Sequence, residues 1–166
     1  MIAQAQTNDG AETETPRGLW SDVSALYREL DAEVARLGPV CQISGRCCRF
    51  QEHGHTLFLS QPELEYLLRE GPQPIRPLDD GLMCPWQDAS GRCTARQARP
   101  LGCRVYYCDP AYEPHGSELS ERFIARLKRL AERYSVPWNY APLHRHLDRA
   151  RERGDLALAL ASADPT

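Results

Sequence analysis

The run LWSDVSALYRELDAEVARLGP, residues 19–39, decides the fold class. Its apolar positions Leu19, Val23, Leu26, Leu30, Val34 and Leu37 recur at three- and four-residue intervals, which marks one face of a helix. Gly38-Pro39 then supplies a left-handed cap and a residue that cannot continue the helix. A second stripe, Leu119, Phe123, Ile124, Leu127, Leu130 and Tyr134, predicts a helix after Ser117 that ends before Pro137. Between the two, Ser60-Gln61-Pro62-Glu63 has the form of a capping box, with Leu59 and Leu64 spaced for a hydrophobic staple. It predicts a helix from Gln61 to Glu70, stopped by Gly71-Pro72. Pro142–Arg153 reads as another helix with Leu143, Leu147 and Ala150 on one side, and Leu156–Ala161 as a short terminal one. Only Thr56–Leu59 has a strand's character. The chain therefore reads as mainly α, a small single domain with irregular cysteine-rich loops and one or two short strands.

The chain has 166 residues, long enough for one domain with a modest core and too short for two ordinary ones. Residues 1–16 are polar and read as a disordered tail, 17–161 as the single domain with its cysteine-rich part at 41–108, and 162–166 as a second tail. Mean hydropathy is −0.56, and no stretch approaches the roughly 20 apolar residues of a membrane span, so no membrane is expected. With 20 Lys+Arg against 23 Asp+Glu the net charge is −3, which offers phosphates no basic face, so nucleic acid is an unlikely partner. The start MIAQAQTNDG has neither a basic beginning nor an apolar core of the signal-peptide kind, which predicts a cytoplasmic protein.

Seven cysteines are an odd number, so full pairing within one chain is impossible. In a reducing compartment clustered cysteines are more often metal ligands or catalytic groups than disulfides. They fall into two groups, Cys41, Cys47 and Cys48 before the Gln61–Glu70 helix, and Cys84, Cys93, Cys103 and Cys108 after it. Asp79–Tyr112 has no helical stripe long enough to hold a core, so something besides hydrophobic burial must order it. A metal that joins the two groups would do so, because its binding free energy becomes folding free energy. Thiolates select zinc, iron-sulfur clusters or cuprous copper. A zinc site or a cubane cluster takes four ligands. Cys47, Cys84, Cys93 and Cys103 are the first choices, then Cys41 and Cys48, then Cys108. Adjacent residues usually point apart, so the Cys47-Cys48 doublet is expected to serve two different surroundings.

Arg46, Arg49, Arg92, Arg99 and Arg104 stand beside the cysteines in sequence, where their charge would offset thiolates. Arginine is also simply this chain's usual surface cation. His53 and His55 have ligand chemistry, although solvated loop histidines are the commoner case. His144 and His146, two apart on a predicted helix, read as surface residues. Trp86, Tyr106, Tyr107 and Tyr112 are expected to pack over the cluster. No Gly-x-Ser-x-Gly, phosphate-cradling glycine loop or His-Glu-x-x-His element occurs.

The combination Cys41…Gly45-Arg46-Cys47-Cys48, a short strand and Ser-x-x-Glu helix, Cys84-Pro85, Gly91-Arg92-Cys93 and Arg99-Pro100-Leu101-Gly102-Cys103-Arg104 resembles the YkgJ-type CxxCxxCC cysteine-cluster family. The resemblance covers roughly Cys41–Cys108. It implies a zinc- or iron-chelating domain. Only Cys41 stands upstream of the doublet here, and Thr94-Ala95 follows Cys93 where the family tends to carry Ile-Tyr. The expected function is metal binding, zinc or iron, by thiolates from two loop clusters. The alternative is an iron-sulfur protein with a redox or group-transfer role, since related domains occur in flagellin lysine methylases. A third reading is an adaptor whose helix after Ser117 presents Arg122, Arg126, Lys128, Arg129 and Arg133 to a protein partner; the interleaved acids make a solvated face the simpler account.

Overall fold

Helix α1 spans Leu19–Leu37 and buries the expected stripe except its last member, since Leu37 is 45% exposed while Leu19, Val23 and Leu30 are fully covered. Gly38 ends it in the left-handed region at φ 63°, its N–H donating to the Val34 carbonyl at 3.1 Å. The structure, a computed structural model, describes residues 18–78 and 81–156. The two expected tails and all but the first residue of the expected Leu156–Ala161 helix lie outside the described residues.

Strand β1, Phe58–Leu59, leads through Ser60 into α2, Gln61–Glu70, at the expected boundaries. The Ser60 N–H donates to Glu63 Oε2 at 2.8 Å, and Leu59 and Leu64 are both fully buried, so the cap and the staple form together. Helix α3, Leu101–Val105, lies in the segment that offers no stripe in sequence, and it carries Cys103. Helix α4, Glu113–Arg133, starts four residues earlier than Ser117, with Pro114 in the first turn, where a missing N–H costs nothing. Gly116 lets α4 approach α3, because a Cβ there would stand 3.0 Å from the Val105 carbonyl oxygen. Strand β2, Ala141–Pro142, pairs antiparallel with β1 in the register Phe58↔Pro142 and Leu59↔Ala141, and runs into α5, Leu143–Glu152.

The fold is mainly α. Helix α4 packs antiparallel to α1, since Arg122, Arg126 and Arg133 pair in turn with Glu33, Glu29 and Asp22. Three of the five arginine and lysine side chains proposed for a partner are thus engaged within the chain. Phe123, fully buried, lies beneath this ladder, with the Arg126 guanidinium 4.8 Å from its ring centroid. His146 is not a surface residue: it is 1% exposed and its Nε2–H donates to the Leu59 carbonyl at 2.9 Å, which fastens α5 to β1. The β2 strand bends the chain so that α5 turns this face inward, which spacing alone does not reveal. Among the described residues no helix is long and apolar enough to cross a membrane.

Candidate metal centre

The cysteine-bearing loops are shaped by backbone contacts around two glycines and one glutamine. Gly45, at φ 69°, launches a single 3-10 turn at Arg46–Cys48. A Cβ at Gly45 would lie 2.6 Å from Gln87 Nε2 and 2.8 Å from the Gly91 carbonyl, so only glycine fits. Gln87, 1% exposed, donates from Nε2 to the carbonyls of Gly45 at 3.0 Å and Gly91 at 3.1 Å, joining the two cysteine loops. Asp88 Oδ1 accepts from the N–H groups of Ser90 at 2.8 Å and Arg92 at 2.9 Å, closing the turn that brings Cys93 opposite Gln87. The Cys84 N–H donates to the Cys48 carbonyl at 2.7 Å. Trp86, 1% exposed, anchors the second loop in the core, its indole N–H donating to the Pro72 carbonyl at 2.7 Å.

All seven cysteines, Cys41, Cys47, Cys48, Cys84, Cys93, Cys103 and Cys108, line one cleft of about 440 Å³. No His, Asp or Glu is among its described lining residues, whereas Arg92, Arg96 and Arg99 are. The 3-10 turn brings the Cys47 and Cys48 sulfurs to 4.0 Å, so the doublet converges instead of diverging. Cys84 and Cys93 are near enough to Cys48 to bear on its proton as well. Cys48, 6% exposed, is therefore the hub of a four-sulfur group, and Cys84, 7% exposed, forms its floor. Cys103, half-buried, comes from α3, while Cys41 and Cys47 are exposed at the mouth. Cys108 joins the rim through the Ser44 hydroxyl, 3.8 Å from its sulfur.

These contacts set the thiol chemistry. Hydrogen bonding from Cys48 lowers Cys47 to about 6, with the Arg99 guanidinium also favouring the thiolate. The same donor lowers Cys93 to about 7. Cys48 is driven far up, because its proton is shared with sulfurs on three sides. Burial pushes the Cys103 thiol well above its ordinary value, and the neighbouring sulfurs add to it. A thiol carries one proton and can serve one acceptor at a time.

The flanking arginines divide. Arg99 faces the sulfurs. Arg104 does not: it is buried, pairs with Asp31 at 2.6 Å, donates to the carbonyls of Arg99 at 2.7 Å and Gln97 at 2.5 Å, and covers the Tyr27 ring. Arg49 faces Glu52 at 3.5 Å. His55 touches the site only from behind, with Nε2 3.3 Å from the Cys47 carbonyl oxygen and its ring stacked on Tyr106; it lines a neighbouring cavity. His53 lies beside Glu52, away from the sulfurs. Trp86, Tyr106 and Tyr107 line the cleft, but Tyr112 packs behind Tyr107 without reaching it.

Two residues that matter here escape sequence reading. Gln87 has no motif around it, and its only trace is the pair of glycines it bridges. Glu63 reads as a helix cap, yet its Oε1 also accepts the Leu101 N–H at 2.9 Å and the Tyr27 hydroxyl at 3.3 Å, fixing the start of the helix that carries Cys103. Among the described residues no group of three or more His, Cys, Asp or Glu side chains is already arranged to hold a metal ion. The Cys47–Cys48 spacing of 4.0 Å nevertheless matches the edge of a thiolate tetrahedron, about 3.8 Å for metal–sulfur bonds of about 2.3 Å. No family model, curated protein or solved structure matches the chain, so the cysteine-cluster resemblance rests on its motifs alone.

Proposed function

We propose that the protein binds zinc or iron through Cys47, Cys48, Cys84 and Cys93, with Cys103 next in reach and Cys41 and Cys108 at the mouth, as a member of the YkgJ-type family. One observation carries the reading: seven thiols drawn from separate segments meet in one cleft. Chance burial of small apolar residues would scatter them through the core. The donor set is soft and free of carboxylates, which suits zinc or iron and not magnesium or calcium. A bound cation would take the place of thiol protons between the sulfurs. Metal binding at neutral pH also needs deprotonated ligands, and Cys47 and Cys93 at about 6 and about 7 are near that state already. Seven free cysteines suit a reducing compartment, so the cytoplasm belongs to the same proposal.

A second reading, an iron-sulfur centre with a redox or group-transfer role, is favoured by the cleft itself. Its 440 Å³ is in the range of small-molecule sites, about 300–1,000 Å³, and seven thiols exceed the needs of one four-ligand site. Anaerobic purification with elemental analysis and a visible spectrum separates the two. Stoichiometric zinc in a colourless protein supports the first, and iron with acid-labile sulfide in a brown one supports the second. A protein that takes up neither metal refutes both.

A further inference from the structure

The loops that carry the sulfurs are held in place by bonds that use no sulfur. Cys84 and Cys48 are joined through their backbones at 2.7 Å, and Gln87 ties Gly45 to Gly91. The Ile75 N–H donates to the Pro85 carbonyl at 2.9 Å, and Arg76 Nη2 donates to the Asp88 carbonyl at 3.0 Å. Trp86 is locked by Pro72, and Glu63 and Arg104 fix the start of α3 and the chain that leads into it. Small domains whose order comes from a metal unfold when it is removed. None of these bonds involves a thiol, so an ion leaving the cleft would break none of them.

The thiols are also graded in depth. Cys41 and Cys47 are exposed, Cys93, Cys103 and Cys108 are half-buried, and Cys48 and Cys84 form the floor. A closed structural site buries its ligands together, whereas this cleft offers thiols from solvent inward.

We propose that the cleft is an exchangeable carrier site, a protein-built cradle that stays folded when empty and takes up and releases its ion through the rim thiols Cys41, Cys47 and Cys108. The inference rests on the metal-binding reading above and adds that the ion is cargo. Each metal–thiolate bond that forms releases a proton to the buffer where the sulfur still carries one, and none where it is already a thiolate. Each bond to the outgoing small-molecule chelator that breaks leaves that donor free to take up a proton, so the exchange needs no oxidant or reductant.

The test uses the full chain, anaerobic and reduced, stripped with a chelator and then titrated with zinc alone. The expected result is a folded empty protein with dispersed amide resonances and slow hydrogen exchange at the Cys84 N–H and the Trp86 indole N–H. Stoichiometric zinc uptake follows, then release to a chromogenic chelator. Outer groups of metal sites alter function by about 10–100-fold, and the Cys41→Ser/Cys108→Ser protein is expected to slow release within that range with unchanged zinc stoichiometry. A stripped protein that binds zinc but is unfolded beforehand overturns the carrier and leaves the metal site standing. Unchanged release rates in the double variant also overturn it. No zinc uptake by the folded wild type sinks the metal reading itself.

Discussion

Replacing Glu63 tests how the helical frame and the cysteine loops are joined. Its carboxylate is 2% exposed and accepts four hydrogen bonds, from the Ser60 N–H and hydroxyl at Oε2 and from the Leu101 N–H and Tyr27 hydroxyl at Oε1. Glu63→Gln keeps the shape but turns one oxygen into an NH₂ group. The two hydroxyls can rotate, but the two backbone N–H groups cannot. Either orientation of the amide therefore orphans one buried backbone donor, at about 1–3 kcal/mol. Burial pushes the Glu63 carboxyl pKa up, so losing the charge returns part of this, and about 1–2 kcal/mol is the expected net cost. Glu63→Ala orphans both donors and costs about twice as much. Urea unfolding followed by circular dichroism reads both, with the slope unchanged. A raised acid pKa means the native state holds a proton that the unfolded chain has lost. The Glu63 contribution to wild-type stability therefore falls as pH rises through the window above 4.5, and the Gln variant should lack that component. A Glu63→Gln protein within about 0.5 kcal/mol of wild type would refute the reasoning.

Other substitutions separate neighbouring causes. Gly45→Ala drives a Cβ into Gln87 and the Gly91 carbonyl, whereas Gly38→Ala, at a similar positive φ, meets nothing within 4 Å. Thermal melts should show Gly38→Ala losing only the backbone penalty of about 1–2 kcal/mol and Gly45→Ala losing clearly more, together with bound metal. Arg126→Ala removes an ion pair with the half-exposed Glu29 and should cost under about 1 kcal/mol, a loss that fades in high salt, while Phe123→Ala should cost about 3–5 kcal/mol at any salt. Burial lowers the pKa of His146, so the unfolded chain binds a proton the native state refuses. Stability from this group is full above 6.5 and declines as pH falls below it, and a His146→Gln protein should lose that slope in pH-dependent urea melts.

Helices α1, α2 and α4 were legible because each carries a strong local signal: the α1 and α4 stripes, the Gly38-Pro39 stop, and the Ser60–Glu63 cap, whereas α3 carries none. The early start of α4 was hidden because His115-Gly116 breaks the stripe, and Gly116 is there for contact with α3. Strand β2 is two residues long and is defined by its partner, so no local pattern announces it. At the candidate site the cysteines themselves stood out, but their ranking did not. Cys48 is central only because a 3-10 turn overrides the usual divergence of adjacent side chains. Gln87 and the second role of Glu63 join residues 42 and 38 positions apart, and such contacts leave no trace in a local reading.

The central claim is that thiolates from this cleft hold the ion. X-ray absorption at the metal edge of the anaerobically purified protein addresses it most directly. The account predicts a first shell dominated by sulfur at about 2.3 Å that is lost in Cys48→Ser. A shell of nitrogen and oxygen, or one that survives Cys48→Ser unchanged, would contradict it.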